Sequence, residues 1–202
     1  MLTITWEPQI FRLENPEGLR RKCRTLAKWI GEANHVVIFT GPGISVAAGI
    51  PDTVKPHAPE STSGNKVAKA VPTVAHMALA KLASQQAVDY IITTCLDGLH
   101  AKAGTPASSL SELHGNHFQE FCTKCGRMYI RDHKVRTSHK ATVHTTGRKC
   151  PRPSCGGALR DCIVSTGEFL PEIPIRRAIT HAFRADLLIC IGEASRCAHT
   201  LR

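Results

Sequence analysis

The chain has 202 residues, enough for one substantial domain or one domain with a small module inserted. No stretch reaches the roughly 18 uninterrupted apolar residues of a membrane span. The opening MLTITWEPQIF lacks a basic region leading into an apolar one, so the expectation is an intracellular protein without a secretory signal and without membrane partners. Nine cysteines in a reducing compartment then read as metal ligands, buried small hydrophobes or reactive thiols rather than disulfides.

The formal net charge of +10 is concentrated. Between Thr123 and Arg152 stand nine Lys or Arg residues and a single acid, Asp132. Such a segment, 124–152, attracts nucleic acid or acidic protein surfaces, or is simply a solvated basic face. Arg20-Arg21-Lys22 with Arg24 reads as the wet face of a helix, with nuclear import as the functional alternative.

In chain order, residues 1–14 carry no period and form a tail. Asn15-Pro16-Glu17 is a helix start: a capping side chain, a proline in the first turn and an acid facing the macrodipole. Leu19, Cys23, Leu26 and Ile30 recur at helical spacing, and Gly31 is expected to end the run. Val36–Thr40 is an apolar β-run leading into the small-residue turn Thr40-Gly41-Pro42-Gly43-Ile44-Ser45, as a phosphate-cradling loop does. Residues 53–71 are polar and aperiodic, which predicts a mobile loop. Pro72-Thr73 opens a second helix through Met77, Leu79 and Leu82, and Tyr90–Thr94 is a short buried strand.

Strand, helix, strand in this rhythm predicts an α/β fold with a parallel sheet and crossover helices. The rhythm stops near Cys122, is expected to resume at Leu159–Val164, and closes with a strand over Ala185–Ile191. The expected organisation is therefore a Rossmann-like part, 15–117 and 159–202, with a zinc-binding module, 118–158, inserted. Within the insert, Cys122 and Cys125 form one close pair and Cys150 and Cys155 a second. Two thiolate pairs joined by a hairpin suit a tetrahedral ion, and four soft ligands favour zinc. With no open position for water, that zinc is structural. Cys23, Cys162 and Cys190 fall on apolar faces and are expected to fill the core.

Two further stretches carry chemistry. Thr93–Gly104, TTCLDGLHAKAG, delivers Asp97 after a strand, and Ser111–Asn116, SELHGN, delivers His114 just before the cysteines. An acid and a candidate base thus stand at the C-terminal rim of a parallel sheet, where open α/β folds bind ligands. A lone histidine is also commonly a satisfied structural residue.

The order GxGIS-x3-GIPD, PTxxHMAL, DGLHxxxG, SELHGN, CxxC…C…CGG and LRD resembles that of the sirtuins, from Asn15 to about Gly192. Within them the likeness is to the nuclear sixth- and seventh-type branch, which implies the nucleus over the cytoplasm and a chromatin setting. The resemblance implies a Rossmann-type domain with a zinc-ribbon module, and NAD and an acyl-lysine protein substrate, such as a histone, bound between them. The implied reaction begins when the acyl oxygen attacks the ribose carbon bearing nicotinamide. A histidine then acts as base on a ribose hydroxyl, and the acyl group passes to ADP-ribose. His114 matches that catalytic base, and its ordinary pKa suits proton abstraction near neutral pH. Leu96 and Asp97 match the pair that holds the nicotinamide amide. Gly41, Gly43, Ser45, Ile50 and Asp52 match the cofactor loop, and Gly192 matches the glycine after the last strand.

The sequence also departs from the family pattern. Pro42 stands where the family has alanine, deleting a backbone N–H. Thr53-Val54-Lys55 replaces Phe-Arg-Gly, Thr94-Cys95 replaces Gln-Asn, and Gly192-Glu193-Ala194 replaces Gly-Thr-Ser or Gly-Ser-Ser. The family's further βα units, which complete the sheet, are not in the sequence, so the parallel sheet is expected to be incomplete at its C-terminal end. Two readings follow: an NAD-dependent protein-lysine deacylase, or a non-catalytic zinc module that binds chromatin, nucleic acid or an acidic protein.

Overall fold

The computed structural model describes residues 15–50, 67–136, 143–165 and 167–192. Helix α1 spans Pro16–Glu32, where Asn15 Oδ1 accepts the Gly18 N–H at 2.7 Å. It runs past Gly31, and the Ala33 N–H closes it on the Trp29 carbonyl. Its apolar stripe does not enter the core: Leu19 is 53% exposed, Cys23 is exposed, and Gly18 is the buried residue of the helix. Contact with the sheet comes through Ile30 and Ala33 at the C-terminal end, which is why Cys23 is not the core filler its spacing suggests.

Strand β1 (Val36–Thr40) follows, then a tight helical turn over Pro42–Ala48, α2 (Val74–Ser84), β2 (Tyr90–Thr93), the short α3 (Leu99–Lys102) and β3 (Leu110–Glu112). Next come β4 (Gln119–Cys122), β5 (Met128–Ile130), β6 (Thr145–Lys149), β7 (Ala158–Asp161), α4 (Glu172–Arg184) and β8 (Leu187–Ile191). Two four-stranded sheets result, in the orders β3-β2-β1-β8 and β5-β4-β7-β6. The first is wholly parallel and the second antiparallel. This is the α/β architecture with a small inserted sheet that the rhythm predicts.

Every residue of β1 and β2 is buried, because helices cover both faces, as continuous apolar runs in parallel sheets require. Val36, Ile38 and Ile91 pack with Leu79 and Ala83 of α2, while Val37, Phe39, Tyr90 and Ile92 pack on Ala178 of α4. Asp89 and Asp186 fix the bottom of the sheet: Asp89 accepts the Val36 N–H, and Asp186 accepts those of Asn34 and His35, each at 2.8 Å. Among the described residues β8 is an edge strand of the sheet, and there Leu188 is 45% exposed and Cys190 is exposed. The expected core role of Cys190 fails for that reason.

Leu159–Val164 does not rejoin the parallel sheet. Ala158–Asp161 pairs antiparallel with β4 and β6, and the chain returns to the first sheet only at Leu187. Once paired there, β7 alternates, with Leu159 and Asp161 buried and their neighbours out, as in a sheet with one wet face. Beneath it lies Glu120, 0% exposed, held by Arg131 Nε at 2.7 Å, Arg148 NH2 at 2.8 Å and Thr146 Oγ1 at 2.8 Å. Burial alone would raise the pKa of this carboxyl, but the hydrogen bonds from Arg148, Arg131 and Thr146 prevail and hold it below the usual carboxylate value. Glu120→Ala leaves the half-buried guanidinium groups of Arg131 and Arg148 facing each other without the carboxylate they share. The expected loss is about 3 to 5 kcal/mol, read from urea unfolding midpoints.

The basic segment is thus partly turned inward. Arg131 and Arg148 pair with Glu120, and Arg136 approaches Asp161 at 3.6 Å. Among the described residues, no helix is long and apolar enough to cross a membrane.

Candidate nucleotide cleft and metal centre

The C-terminal ends of the parallel strands gather most of the expected site residues. β1 delivers Gly41 and Gly43, the turn after it delivers Ser45, the loop after β2 delivers Leu96 and Asp97, and β3 delivers His114. Asp52 lies outside the described residues. Gly192 follows β8 directly and approaches Gly43 so closely that a Cβ on Gly43 would lie 2.7 Å from the Gly192 carbonyl oxygen. A Cβ on Gly192 would lie 2.3 Å from the Ile44 nitrogen, at a φ of +68°. Only glycines fit this crossing. Beside it opens a cavity of about 1050 Å³, bordered by Gly43, Ile44, Lys69, Thr73 and Gly192.

Backbone donors in this loop are already committed. The Gly41 N–H donates to the Ile191 carbonyl, Gly43 N–H to Gly192 and Ile44 N–H to Gly41, while Pro42 has none. Ser45 Oγ donates to Asp97 Oδ2 at 2.6 Å, and the Leu99 N–H donates to Asp97 Oδ1 at 2.9 Å. Ile50 is a packing residue, buried with Val67, Ala70 and Leu99.

His114 is half-buried on a bend that the neighbouring loops fix on both sides. The Leu113 N–H donates to the Thr93 carbonyl, the His117 N–H to Leu96, and the Val164 N–H to His114's own carbonyl, each at 2.9 Å. Gly115 has a φ of +86°, and a Cβ there would lie 2.0 Å from the Cys162 carbonyl oxygen. The bend therefore demands glycine.

Asn116 and Gln119 donate to the Glu112 carboxyl at 2.7 and 3.1 Å. Burial nevertheless pushes the Glu112 pKa up from 4.5 to about 7, opposed by those hydrogen bonds and aided by the Asp97 charge. A folded pKa above the unfolded one favours the protonated acid, so the contribution to stability is full below pH 4.5 and is lost as pH rises through 7. Glu112→Gln should flatten the stability profile across that window, as measured by denaturant unfolding at several pH values. An unchanged slope would assign the titration elsewhere.

Two buried histidines were invisible as a pair in the sequence. His76 and His100 meet edge to face at 4.7 Å, His76 bonded to Thr73 Oγ1 and His100 to Thr40 Oγ1, each at 2.8 Å. Desolvation lowers both pKa values, that of His100 to about 3, so both rings are neutral near pH 7. Each stands in a motif of the sequence, His76 in PTxxHMAL, where it also closes a capping box with Thr73, and His100 in DGLHxxxG, but neither motif shows that the rings meet.

The metal centre matches its expected ligands. Cys122, Cys125, Cys150 and Cys155 bring their sulfurs within 4.8 Å of one another. Cys122 and Cys155 are 3.6 Å apart, and Cys125 and Cys150 3.8 Å. A tetrahedral zinc with Zn–S bonds of about 2.3 Å separates its sulfurs by about 3.8 Å, so the four fit that ion. The Lys124 and Cys125 N–H groups point at Cys122 Sγ at 3.4 Å, forming the knuckle. Tyr129 donates to Cys150 Sγ at 3.0 Å, which holds that thiol down to about 6 and the phenol up to about 12. Cys162, half-buried, is different: burial raises its thiol to about 11, the state of a packing residue.

A parallel sheet with glycine-lined crossing, an acid and a histidine on its rim, and a four-cysteine module define an open α/β protein with a nucleotide-type cleft. The Sir2 family profile matches residues 53–198. The "NAD-dependent protein deacetylase sirtuin-7" of Bos taurus is 38% identical over 193 residues, covering 90% of this chain and 48% of that protein. The "NAD-dependent protein deacetylase" of Sulfolobus acidocaldarius is 32% identical over 200 residues, covering 87% of this chain and 75% of that protein. Among solved structures, Sir2Tm bound to a propionylated peptide superposes with a TM-score of 0.65 at 27% identity, covering 89% of this chain and 78% of the other. A Sir2 homolog–NAD complex gives 0.62 at 28% identity, covering 84% and 72%. This chain belongs to the Sir2 family. It spans about half the length of the first curated relatives it matches.

The fold is accordingly that of the Sir2 family, with a four-cysteine cluster suited to structural zinc. The Gly43–Gly192 crossing fits the close backbone approach that a diphosphate needs. The hydrogen bonds already made by the loop's N–H groups fit it less well.

Proposed function

We propose that the protein is an NAD-dependent protein-lysine deacylase in which His114 is the general base. The observation that carries this reading is the placement of His114 beside the Leu96–Asp97 loop, its carbonyl accepting from Val164 and its neighbours Leu113 and His117 donating to Thr93 and Leu96. NAD, when bound, supplies the acyl acceptor and the nicotinamide leaving group. Gly41, Gly43, Ser45 and Gly192 would border it, Leu96 and Asp97 would hold the nicotinamide amide, and His114 would take the proton of a ribose hydroxyl. Asp97 already accepts from Ser45, so Ser45 has to turn toward the ligand or share the carboxylate. The substrate is an acylated lysine in a protein, a reading supported by likeness to Sir2 structures bound to propionylated and acetylated peptides; a histone is the target that the motif resemblance implies. Calorimetry with NAD on zinc-loaded protein, followed by turnover of an acetyl-lysine peptide, tests the reading. Micromolar NAD affinity is the expected result, and silence up to millimolar NAD overturns it.

A second reading rests on the committed loop donors and Pro42: an eroded cofactor loop on a non-catalytic module that binds nucleic acid or an acidic protein through segment 124–152. Since three of that segment's cations face Glu120 and Asp161, the attraction should be modest and steeply salt-dependent. Retention on an anionic matrix at low salt, together with no NAD binding, would favour it. The Cys95→Asn change distinguishes erosion from absence of a site, because restoring the family's amide should raise NAD affinity only if the rest of the cleft is intact.

A further inference from the structure

We propose that His144 is a positioning residue: held as an imidazolium between Asp161 and Glu168, it clamps the segment after β7 against the rim that carries His114. Its consequence for turnover rests on the deacylase reading, whereas the clamp itself does not.

His144 Nδ1 lies 3.0 Å from Asp161 Oδ1, and its Nε2 lies 2.7 Å from Glu168 Oε1. Both carboxylates are also used as acceptors by backbone. Asp161 Oδ1 takes the Ile163 N–H at 3.0 Å, and Glu168 Oε2 takes the Ser165 N–H at 2.7 Å. A neutral imidazole has one N–H and cannot donate to two carboxylates at once; only the doubly protonated ring can. The other charged group on this cluster is Arg136, 3.6 Å from Asp161 Oδ2, while Arg160 and Arg177 stand further along the same cleft wall. The Glu168 carboxyl is held below its ordinary pKa by the Ser165 N–H and then by His144, consistent with an ionised acceptor.

The clamp acts on the site through backbone. Asp161 and Glu168 bracket Ile163, Val164 and Ser165, and the Val164 N–H donates to the His114 carbonyl. On the same stretch, the Cys162 carbonyl packs against Gly115. His144, Gly115, Val164 and Glu168 line one cavity of about 1080 Å³. A neutral ring releases one carboxylate, and with it one of the two ends that hold this wall.

Nitrogen-15 spectra of the imidazole rings in zinc-loaded, NAD-free protein at neutral pH test the proposal. Both ring nitrogens of His144 should appear protonated. Backbone amides of Ile163 and Ser165 should exchange about tenfold faster or more in His144→Asn, the scale of losing one charge-assisted hydrogen bond. Glu168→Gln, a milder change, should return His144 to a single ring proton. A neutral His144 at neutral pH overturns the proposal, as does unchanged exchange at Ile163 and Ser165 in His144→Asn. Should that variant not fold, an imidazolium that persists in Glu168→Gln overturns it equally. None of these readouts uses NAD or turnover, so their failure is separate from failure of the deacylase reading.

Discussion

Cys150→Ser should strip zinc from the chain and unfold the second sheet. The four sulfurs lie at the separations a tetrahedral zinc imposes, and each belongs to the cluster that this sheet packs around. Structural zinc supplies apparent binding free energies of about 10 to 16 kcal/mol at neutral pH, and in a small module that energy is folding energy. The sheet's other anchor, Glu120 with its arginines, replaces only part of it. Removing one thiolate also leaves Tyr129 without its acceptor at Cys150. Metal content by emission spectroscopy and the amide dispersion of β4 to β7 should fall together, and excess chelator should reproduce the effect on the unaltered protein. Full zinc occupancy in the serine variant would refute the ligand assignment.

His114→Ala should abolish deacylation while leaving zinc content and fold unchanged. The bend that carries His114 is fixed by backbone contacts of Leu113, Gly115 and Val164, which remain when the ring is removed. Loss of a general base costs about 10²- to 10⁴-fold in rate. The informative comparison is with NAD affinity, which should survive, because the ring is assigned to proton transfer and not to holding the dinucleotide. Activity close to that of the unaltered protein would make His114 a structural residue, its lone-histidine alternative in the sequence.

The sequence by itself determined the features that depend on local chemistry. Asn15-Pro16 started a helix because an oxygen cap and a fixed φ act within one turn. Val36–Thr40 and Tyr90–Thr93 formed buried strands because continuous apolar runs need cover on both faces. The paired cysteines announced their metal because ligand spacing is itself the signal. Only the tertiary structure decided the rest. Cys23 and Cys190 share the apolar periodicity of core residues, yet stand exposed, because α1 meets the sheet only near its end and β8 is an edge among the described residues. β7 joined the second sheet because its partner was chosen by register with β4 and β6, a long-range property that four residues do not encode. The cations of segment 124–152 read as one patch, but three of them meet Glu120 and Asp161, acids that lie outside it in sequence. His144 reaches Asp161 and Glu168 across 17 and 24 residues for the same reason: side-chain protonation is set by what folding brings within hydrogen-bond reach, and no local pattern carries that information.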